Sequence, residues 1–333
     1  MSNFSYVYVL VSRSNDIYYE QTLLSAISLR NHMPNANIVL LVDKETEATL
    51  VGTRSEIRKI VSSVVSIEVS GFSNLQKSRY LKTSIPKFIL GDFLYIDSDT
   101  IITSSLKKIE SCEFEIGAIL DRHSIFSMST AKNVITYNAK KMGYVPAYDD
   151  KHFNGGVMLF RRNSRTLDFF ANWHNFWLEN TKRGFSLDQI SLAQANYLSN
   201  GIIRELPGIW NCQVESGAKF LNDAKILHFF SSVQGENRPH LLMRKTFFEK
   251  IKTNGVTDDV MDVVRTPLAF FSDKTQIIAE DSVEFYNSAL VRCIYKLSIN
   301  RKIRPLFNLV NSFMKNMQLH SMKCKIYKKK SKG

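Results

Sequence analysis

Short apolar runs alternate with amphipathic stretches along the first half of the chain, a pattern that predicts repeated βαβ units. Residues 6–11 (YVYVLV) are apolar throughout, as a strand covered on both faces must be. Residues 19–32 follow with Leu23, Leu24, Ile27 and Leu29 on a helical stripe. A second strand spans residues 37–42 (NIVLLV) and ends at Asp43; a polar helix is predicted over 46–60 and a third strand over 64–69. Residues 73–90 read as helical in their first part and interrupted at Pro86. The fourth strand, residues 93–96 (FLYI), runs directly into Asp97-Ser98-Asp99, and a fifth spans 116–120. Residues 121–151 are irregular and polar, with Gly143 and Pro146, and a loop of that length inside a domain points to function. After it come a strand at 157–160, a helix at 164–180 bearing Phe169, Phe170, Trp173 and Trp177, and a helix opening at Asp188. Strands separated by helices need right-handed crossovers, so the expected fold is α/β: a mostly parallel, Rossmann-like sheet with helices on both faces.

Composition narrows the class. With 44% apolar and 23% charged residues in 333, the chain is neither disordered, collagenous nor a small disulfide scaffold. It contains no window of 18 consecutive apolar residues, and its first residues lack the basic start of a secretory leader. Cys112, Cys212, Cys293 and Cys324 are too dispersed for a zinc site or a disulfide framework, which fits a cytoplasmic location.

The net charge of +13 resembles a nucleic-acid signal until it is divided along the chain. Residues 285–333 hold 12 Lys and Arg and no acid, whereas the preceding 284 residues carry 32 basic against 31 acidic side chains. The body is balanced, so no nucleic-acid partner is expected. In the tail, Leu306, Leu309, Val310, Phe313 and Met317 form a helical stripe beside Lys315, followed by basic residues from Lys323 to Lys332. That pattern suits peripheral attachment to an anionic surface, the inner face of the cell membrane.

The chemistry concentrates at the end of the fourth strand. In open α/β sheets ligands bind at the carboxyl ends of strands. Alternation along an extended segment directs Asp97 and Asp99 to one side and Ser98 to the other. Two carboxylates at such a place suit a hard divalent cation able to hold a diphosphate.

Around this point the chain resembles the family 8 glycosyltransferases. Residues 79–103 are similar to that family's metal-binding region, and residues 152–160 (HFNGGVMLF) to the FNxGV strand lining the donor site. Ser186-Leu187-Asp188-Gln189 resembles the DQ pair, and His228-Phe229-Phe230 the start of an HFxG…KP segment. The resemblance covers about residues 5–240 and implies the GT-A fold over 1–240, with 241–333 a helical basic region.

It further implies that Asp97, Asp99 and His228 ligate Mn²⁺ or Mg²⁺. Val11, Ser12 and Tyr18 match positions facing the nucleotide base and ribose, and Ser98 belongs to the same donor-binding set. Arg79 matches a basic residue facing the donor, with Lys82 one turn on. Asp121, Asn154, Gly155 and Asp188 match positions that hold sugar hydroxyls. Gly235 and Arg238 stand where the family has a glycine and a lysine, but four residues late and with arginine for lysine. Arginine can still grip a diphosphate.

The implied reaction moves a sugar from a nucleoside diphosphate, UDP foremost, to a hydroxyl of a glycan or lipid-linked glycan with retention. Its catalytic candidates are Asp188, Gln189 and Arg79. Three alternatives remain. A haloacid-dehalogenase-type phosphatase would use Asp97 in DxDxT, but its nucleophile belongs on the first strand. A nucleotidyltransferase needs a glycine-rich loop that VSRSNDIYY lacks. The third is a non-catalytic membrane-binding module.

Overall fold

The computed structural model describes residues 4–129, 132–146, 151–230, 238–271 and 289–299, together with 305, 306, 308, 309 and 312. β1 (Phe4–Leu10) is buried along its whole length, because helices cover both faces of the sheet it centres. Its even residues Tyr6, Tyr8 and Leu10 join one core with α1 (Tyr18–His32), and Val7 and Val9 join another on the opposite face.

β1 pairs in parallel with β2 (Ile38–Asp43) on one side and β4 (Asp92–Ile96) on the other, and β3 (Ser63–Ile67) extends the sheet beyond β2. β7 (Phe153–Phe160) then runs antiparallel to both β4 and β6 (Ile116–Leu120), and β8 (Ile203–Glu205) closes the far edge, parallel to β6. The order is β3-β2-β1-β4-β7-β6-β8. The expected α/β sheet with helices on both faces is present, with one reversed strand at its centre.

A second sheet of β5 (Thr100–Ile102), β10 (Ile226–His228) and β9 (Cys212–Gln213) stands beside it. It matters for function, since β10 pairs antiparallel to β5 with His228 opposite Thr100.

Several local expectations change. The polar helix over 46–60 is broken into α2 (Lys44–Thr49), a 3₁₀ turn at Gly52–Glu56 and α3 (Ile57–Ile60). Asp43 caps α2 by accepting from Thr46 N, and Gly52 at φ 55° takes a left-handed conformation that ends helical continuity. The helix predicted from 73 is α4 (Asn74–Thr83), started by a Ser73–Gln76 capping box and stopped before Pro86.

The span expected to be irregular contains α5 (Lys132–Lys141). Ala139, Met142 and Tyr144 cluster with Ile190 of α7 (Gln189–Leu198). α6 (Ser164–Lys182) matches its prediction and buries Phe169, Phe170, Trp173 and Trp177.

The division expected at residue 240 falls inside the first compact unit, which runs from Met1 to Thr275. α8 (Lys245–Asn254) and α9 (Asp258–Arg265) bury Phe247, Phe248, Ile251, Val260, Val263 and Val264 in the same core as α1. The second unit, Gln276–Gly333, contains the helix Ala289–Ile299, whose Leu290, Ile294 and Leu297 are exposed, as are Leu306 and Leu309. Val310, Phe313, Lys315, Met317 and the lysine-rich end lie outside the described residues. Among the described residues no helix is long and apolar enough to cross a membrane. Cys112, Cys212 and Cys293 are free thiols, and Cys324 lies outside the described residues.

Candidate active site

Asp97 leaves the end of β4 with its amide donating to Gly156 O at 2.7 Å, which anchors it against β7. Ser98 and Asp99 form a turn into β5 rather than the extended run expected, and Phe229 N donates to Asp99 O at 2.9 Å. The turn and the β5–β10 pairing together bring Asp97, Asp99 and His228 close. Each offers a ligand atom, and these atoms lie within 4.8 Å of one another. His228 is 2% exposed, with Nε2 3.1 Å from Asp99 Oδ1 and Nδ1 2.9 Å from Asn211 Oδ1. Burial alone would lower its pKa, but the Asp99 and Asp97 carboxylates raise it above the ordinary histidine value. Two half-buried carboxylates beside one buried imidazole are a donor set for a divalent transition metal.

A second cluster adjoins the first. Lys82 is only 4% exposed, and its Nζ lies 3.1 Å from Asp188 Oδ2, 3.7 Å from Asp97 Oδ1 and over the Tyr95 ring. Arg79 Nε forms an ion pair with the other Asp188 oxygen at 3.0 Å. Burial would raise the Asp188 pKa, yet Lys82 and Arg79 overcome it and hold the group down at about 2. Tyr95 donates to Asp97 Oδ1, and burial first, then Asp97, pushes the phenol well above its usual range. Asp188 precedes α7, where Trp173 Nε1 donates to its carbonyl at 3.2 Å. Gln189 Nε2 donates to Phe153 O. Lys82, one turn on from Arg79, therefore shares the Asp188 carboxylate with it.

The β7 strand begins at Phe153, four residues earlier than predicted, because its pairing with β6 shifts register between Ala118 and Ile119. That irregularity carries Asn154, Gly155 and Gly156 to the site. Asn154 Nδ2 donates to Asp121 Oδ1 at 2.9 Å. A Cβ on Gly156 would lie 2.5 Å from His228 Cε1 and 2.8 Å from Asp97 Oδ2; one on Gly155 would meet Lys82 Nζ at 3.3 Å and Leu192 Cδ2 at an ordinary 3.6 Å. Gly156→Ala is expected to abolish divalent-cation binding, whereas Gly155→Ala asks Lys82 Nζ to give by only a few tenths of an ångström and retains it. Calorimetric Mn²⁺ titration of both variants checks the contrast.

Three further features escaped the sequence reading. Asn211, fully buried before β9, holds His228 from behind. Arg122 and His123 both adopt φ 54°, and Gln213 pins them: its Oε1 accepts from Arg122 N at 2.6 Å and its N donates to His123 Nε2 at 3.1 Å. Burial, assisted by Lys219, lowers the His123 pKa to about 4, so its ring is neutral and free to accept. Gln21 of α1 is 3% exposed, its amide has no hydrogen-bond partner among the described residues, and it lines a small hollow with Ser98, Asp99 and Thr100.

At the ends of β1 and β2, Ser12 Oγ donates to Asp16 Oδ1 at 2.7 Å and Tyr18 stands 45% exposed; Val11 is buried. Beside them, buried Asp43 takes Arg13 at 3.0 Å and Lys77 at 3.3 Å, and Lys77 also reaches Glu45 at 2.7 Å. Asp43 and Lys77 border an open cleft of about 480 Å³ with Ser70, Gly71 and Phe72. The sequence marks Ser12 and Tyr18 but not this ion network. Arg238 forms an ion pair with Glu215 at 2.7 Å, and Gly235 lies outside the described residues.

Two solved structures share this arrangement of elements. The galactosyltransferase LgtC, in complex with donor and acceptor sugar analogues, is 14% identical over 76% of this chain and 96% of its own, with a TM-score of 0.51. The bifunctional glycosyltransferase WbbM, in its apo form, is 18% identical over 78% of this chain at a TM-score of 0.51. This chain covers 51% of WbbM, about half its length. At these identities the likeness is one of fold. No curated protein matches the chain. The model of glycosyl transferase family 8 matches residues 9–234, from the first strand through the segment holding His228. With the family spanning every element that frames the site, the chain belongs to glycosyltransferase family 8 and is a glycosyltransferase of GT-A fold.

Proposed function

We propose that the protein transfers a sugar from a nucleoside diphosphate, UDP foremost, to a hydroxyl of a glycan or lipid-linked glycan, with a divalent cation and with retention. The observation that carries this reading is the convergence of Asp97, Asp99 and His228 beside the cations Lys82 and Arg79. The residues present fit Mn²⁺ or Mg²⁺: two carboxylates and an imidazole supply the ligands, and Gly156 leaves space that a Cβ would fill. When bound there, the cation supplies positive charge against the diphosphate leaving group.

The chain's own residues do the rest. Arg79 and Lys82 add fixed positive charge where negative charge grows on the departing phosphate. Asn154, Gly155, Asp121 and Asp188 face the sugar; Ser12, Tyr18 and Val11 serve the nucleoside, Arg238 the diphosphate, and Ser98 belongs to the donor site.

Double displacement would need a carboxylate free to attack the anomeric carbon. Both oxygens of Asp188 are engaged by cations, and Gln189 is an amide whose nitrogen is given to Phe153 O. These contacts favour attack by the acceptor on the same face. The new bond forms from acceptor oxygen to the anomeric carbon, the bond to the phosphate oxygen breaks, and the acceptor proton passes to that phosphate oxygen.

Calorimetric titration of UDP with and without Mn²⁺ tests the reading, followed by turnover of a UDP-sugar panel. Binding that requires the metal is expected; failure of every nucleoside diphosphate to bind with metal present overturns it. The basic second unit we assign to an anionic membrane surface. The full chain is expected to partition onto anionic liposomes and a truncation after Glu284 to stay in solution; equal partitioning rejects the attachment.

A further inference from the structure

The amide of Asn211 is completely buried, and both of its polar atoms are used: Oδ1 lies 2.9 Å from His228 Nδ1, and Nδ2 donates to Asn154 Oδ1 at 3.0 Å. Its orientation follows from groups of fixed polarity further along. As a carboxylate Asp121 can only accept, so Asn154 must present Nδ2 to it. Asn154 Oδ1 then receives the backbone N–H of Gly156 at 2.9 Å, a group that can only donate, and the Nδ2 of Asn211 as well. Asn211 is left with its carbonyl oxygen toward the imidazole. His228 Nδ1 must therefore carry a hydrogen, which leaves Nε2 to face Asp99 and Asp97.

The strand that follows Asn211 secures the other end of this chain of bonds. Gln213 Nε2 donates to Leu120 O at 2.8 Å and its Oε1 accepts from Arg122 N, which fixes the left-handed turn directly after Asp121. Two consecutive left-handed residues without glycine cost on the order of 1–3 kcal/mol each and persist only where surroundings impose them. One short segment, Asn211 to Gln213, thus holds both the histidine and the loop bearing Asp121.

We propose that Asn211 is a positioning residue for the cation site. Through Asn154 it passes the polarity of Asp121 and of the Gly156 amide to His228, keeps Nε2 as the ligating atom, and couples the residues assigned to the sugar with those assigned to the metal. The inference rests on the metal-dependent reading above. A histidine that ligates a metal through one nitrogen needs its other N–H held, and loss of such a partner weakens binding by about 10–100-fold.

The test is calorimetric titration of Mn²⁺ alone into the full-length protein and its Asn211→Asp and Asn211→Leu variants. Aspartate accepts from Nδ1–H as asparagine does but cannot donate to Asn154 Oδ1, which its second oxygen would face; leucine can do neither job of the amide. Asn211→Leu is expected to bind Mn²⁺ about 10–100-fold more weakly than wild type, and Asn211→Asp to fall between the two, since it keeps the bond to Nδ1–H and loses the one to Asn154. If the amide served packing alone, a buried carboxylate would cost more than leucine, and the order would reverse. Thermal melts establish that each variant is folded, and Asn211→Ala replaces Asn211→Leu if the latter is not. Equal affinity of folded wild type and Asn211→Leu overturns the relay and leaves the metal-dependent reading standing. Absence of Mn²⁺ binding by the wild type removes that reading, and the relay with it.

Discussion

Asp99→Asn is expected to reduce Mn²⁺-dependent UDP binding by on the order of 100-fold or more, and sugar transfer at least as far. The carboxylate is one of two half-buried anions in a three-residue donor set, and its oxygen also faces His228 Nε2 at 3.1 Å. An amide there keeps the shape and removes the charge, so cation affinity suffers without loss of volume. The backbone bond from Phe229 N to Asp99 O survives, and the turn should hold. The measurement is the UDP titration with and without Mn²⁺, run beside a thermal melt. UDP binding that stays metal-dependent and undiminished in a folded Asp99→Asn variant would remove Asp99 from the cation site.

Asp188→Asn is expected to be the most damaging single change to stability at the site. Lys82 is buried and, among the described residues, would keep only Asp97, 3.7 Å away, as an anionic partner, and Arg79 would lose its nearest carboxylate. Removing one member of a buried ion cluster costs about 3–5 kcal/mol. The effect carries a pH signature. Held at about 2 in the folded protein against an ordinary 3.8, Asp188 contributes stability that is fully present above pH 4 and lost as pH falls through about 2. That contribution is of order 2 kcal/mol, taking about 1.4 kcal/mol per pKa unit. Urea unfolding of wild type and variant should therefore differ most at neutral pH, with the gap narrowing between pH 4 and 2. A gap constant over that window would show that the carboxylate's charge is not what stabilises the site. Transfer should fall with stability in the folded fraction too, because Arg79 and Lys82 take their positions from Asp188.

These effects depend on residues with very unequal traces in the sequence. Asp97 and Asp99 were conspicuous because an apolar run ending in acid is a local signal, and the strand-end position gives it meaning. Lys82 was visible only as a neighbour of Arg79; its burial against Tyr95 and Asp97 depends on α4 packing across β4. Gly155 and Gly156 lie in a run whose sequence matches a donor-site strand, but only the irregular pairing of β6 with β7 brings Gly156 against His228. α5 was hidden because its stripe is short and polar, and its partner, Ile190, lies far along the chain. The break at Gly52 was missed because a single glycine in a polar helix is tolerated more often than it terminates one.

By itself the sequence determined the alternation of strands and helices, the carboxylates at the end of the fourth strand, and the separation of a balanced body from a basic tail. All three are carried by residues close together in the chain, where periodicity and charge act directly. Tertiary structure alone decided that β7 runs against its neighbours, that α8 and α9 complete the first unit, and that Asn211 governs the face His228 presents. Strand direction, core membership and hydrogen-bond polarity are settled by which distant segments meet, and a buried donor or acceptor takes the orientation that leaves its partners satisfied.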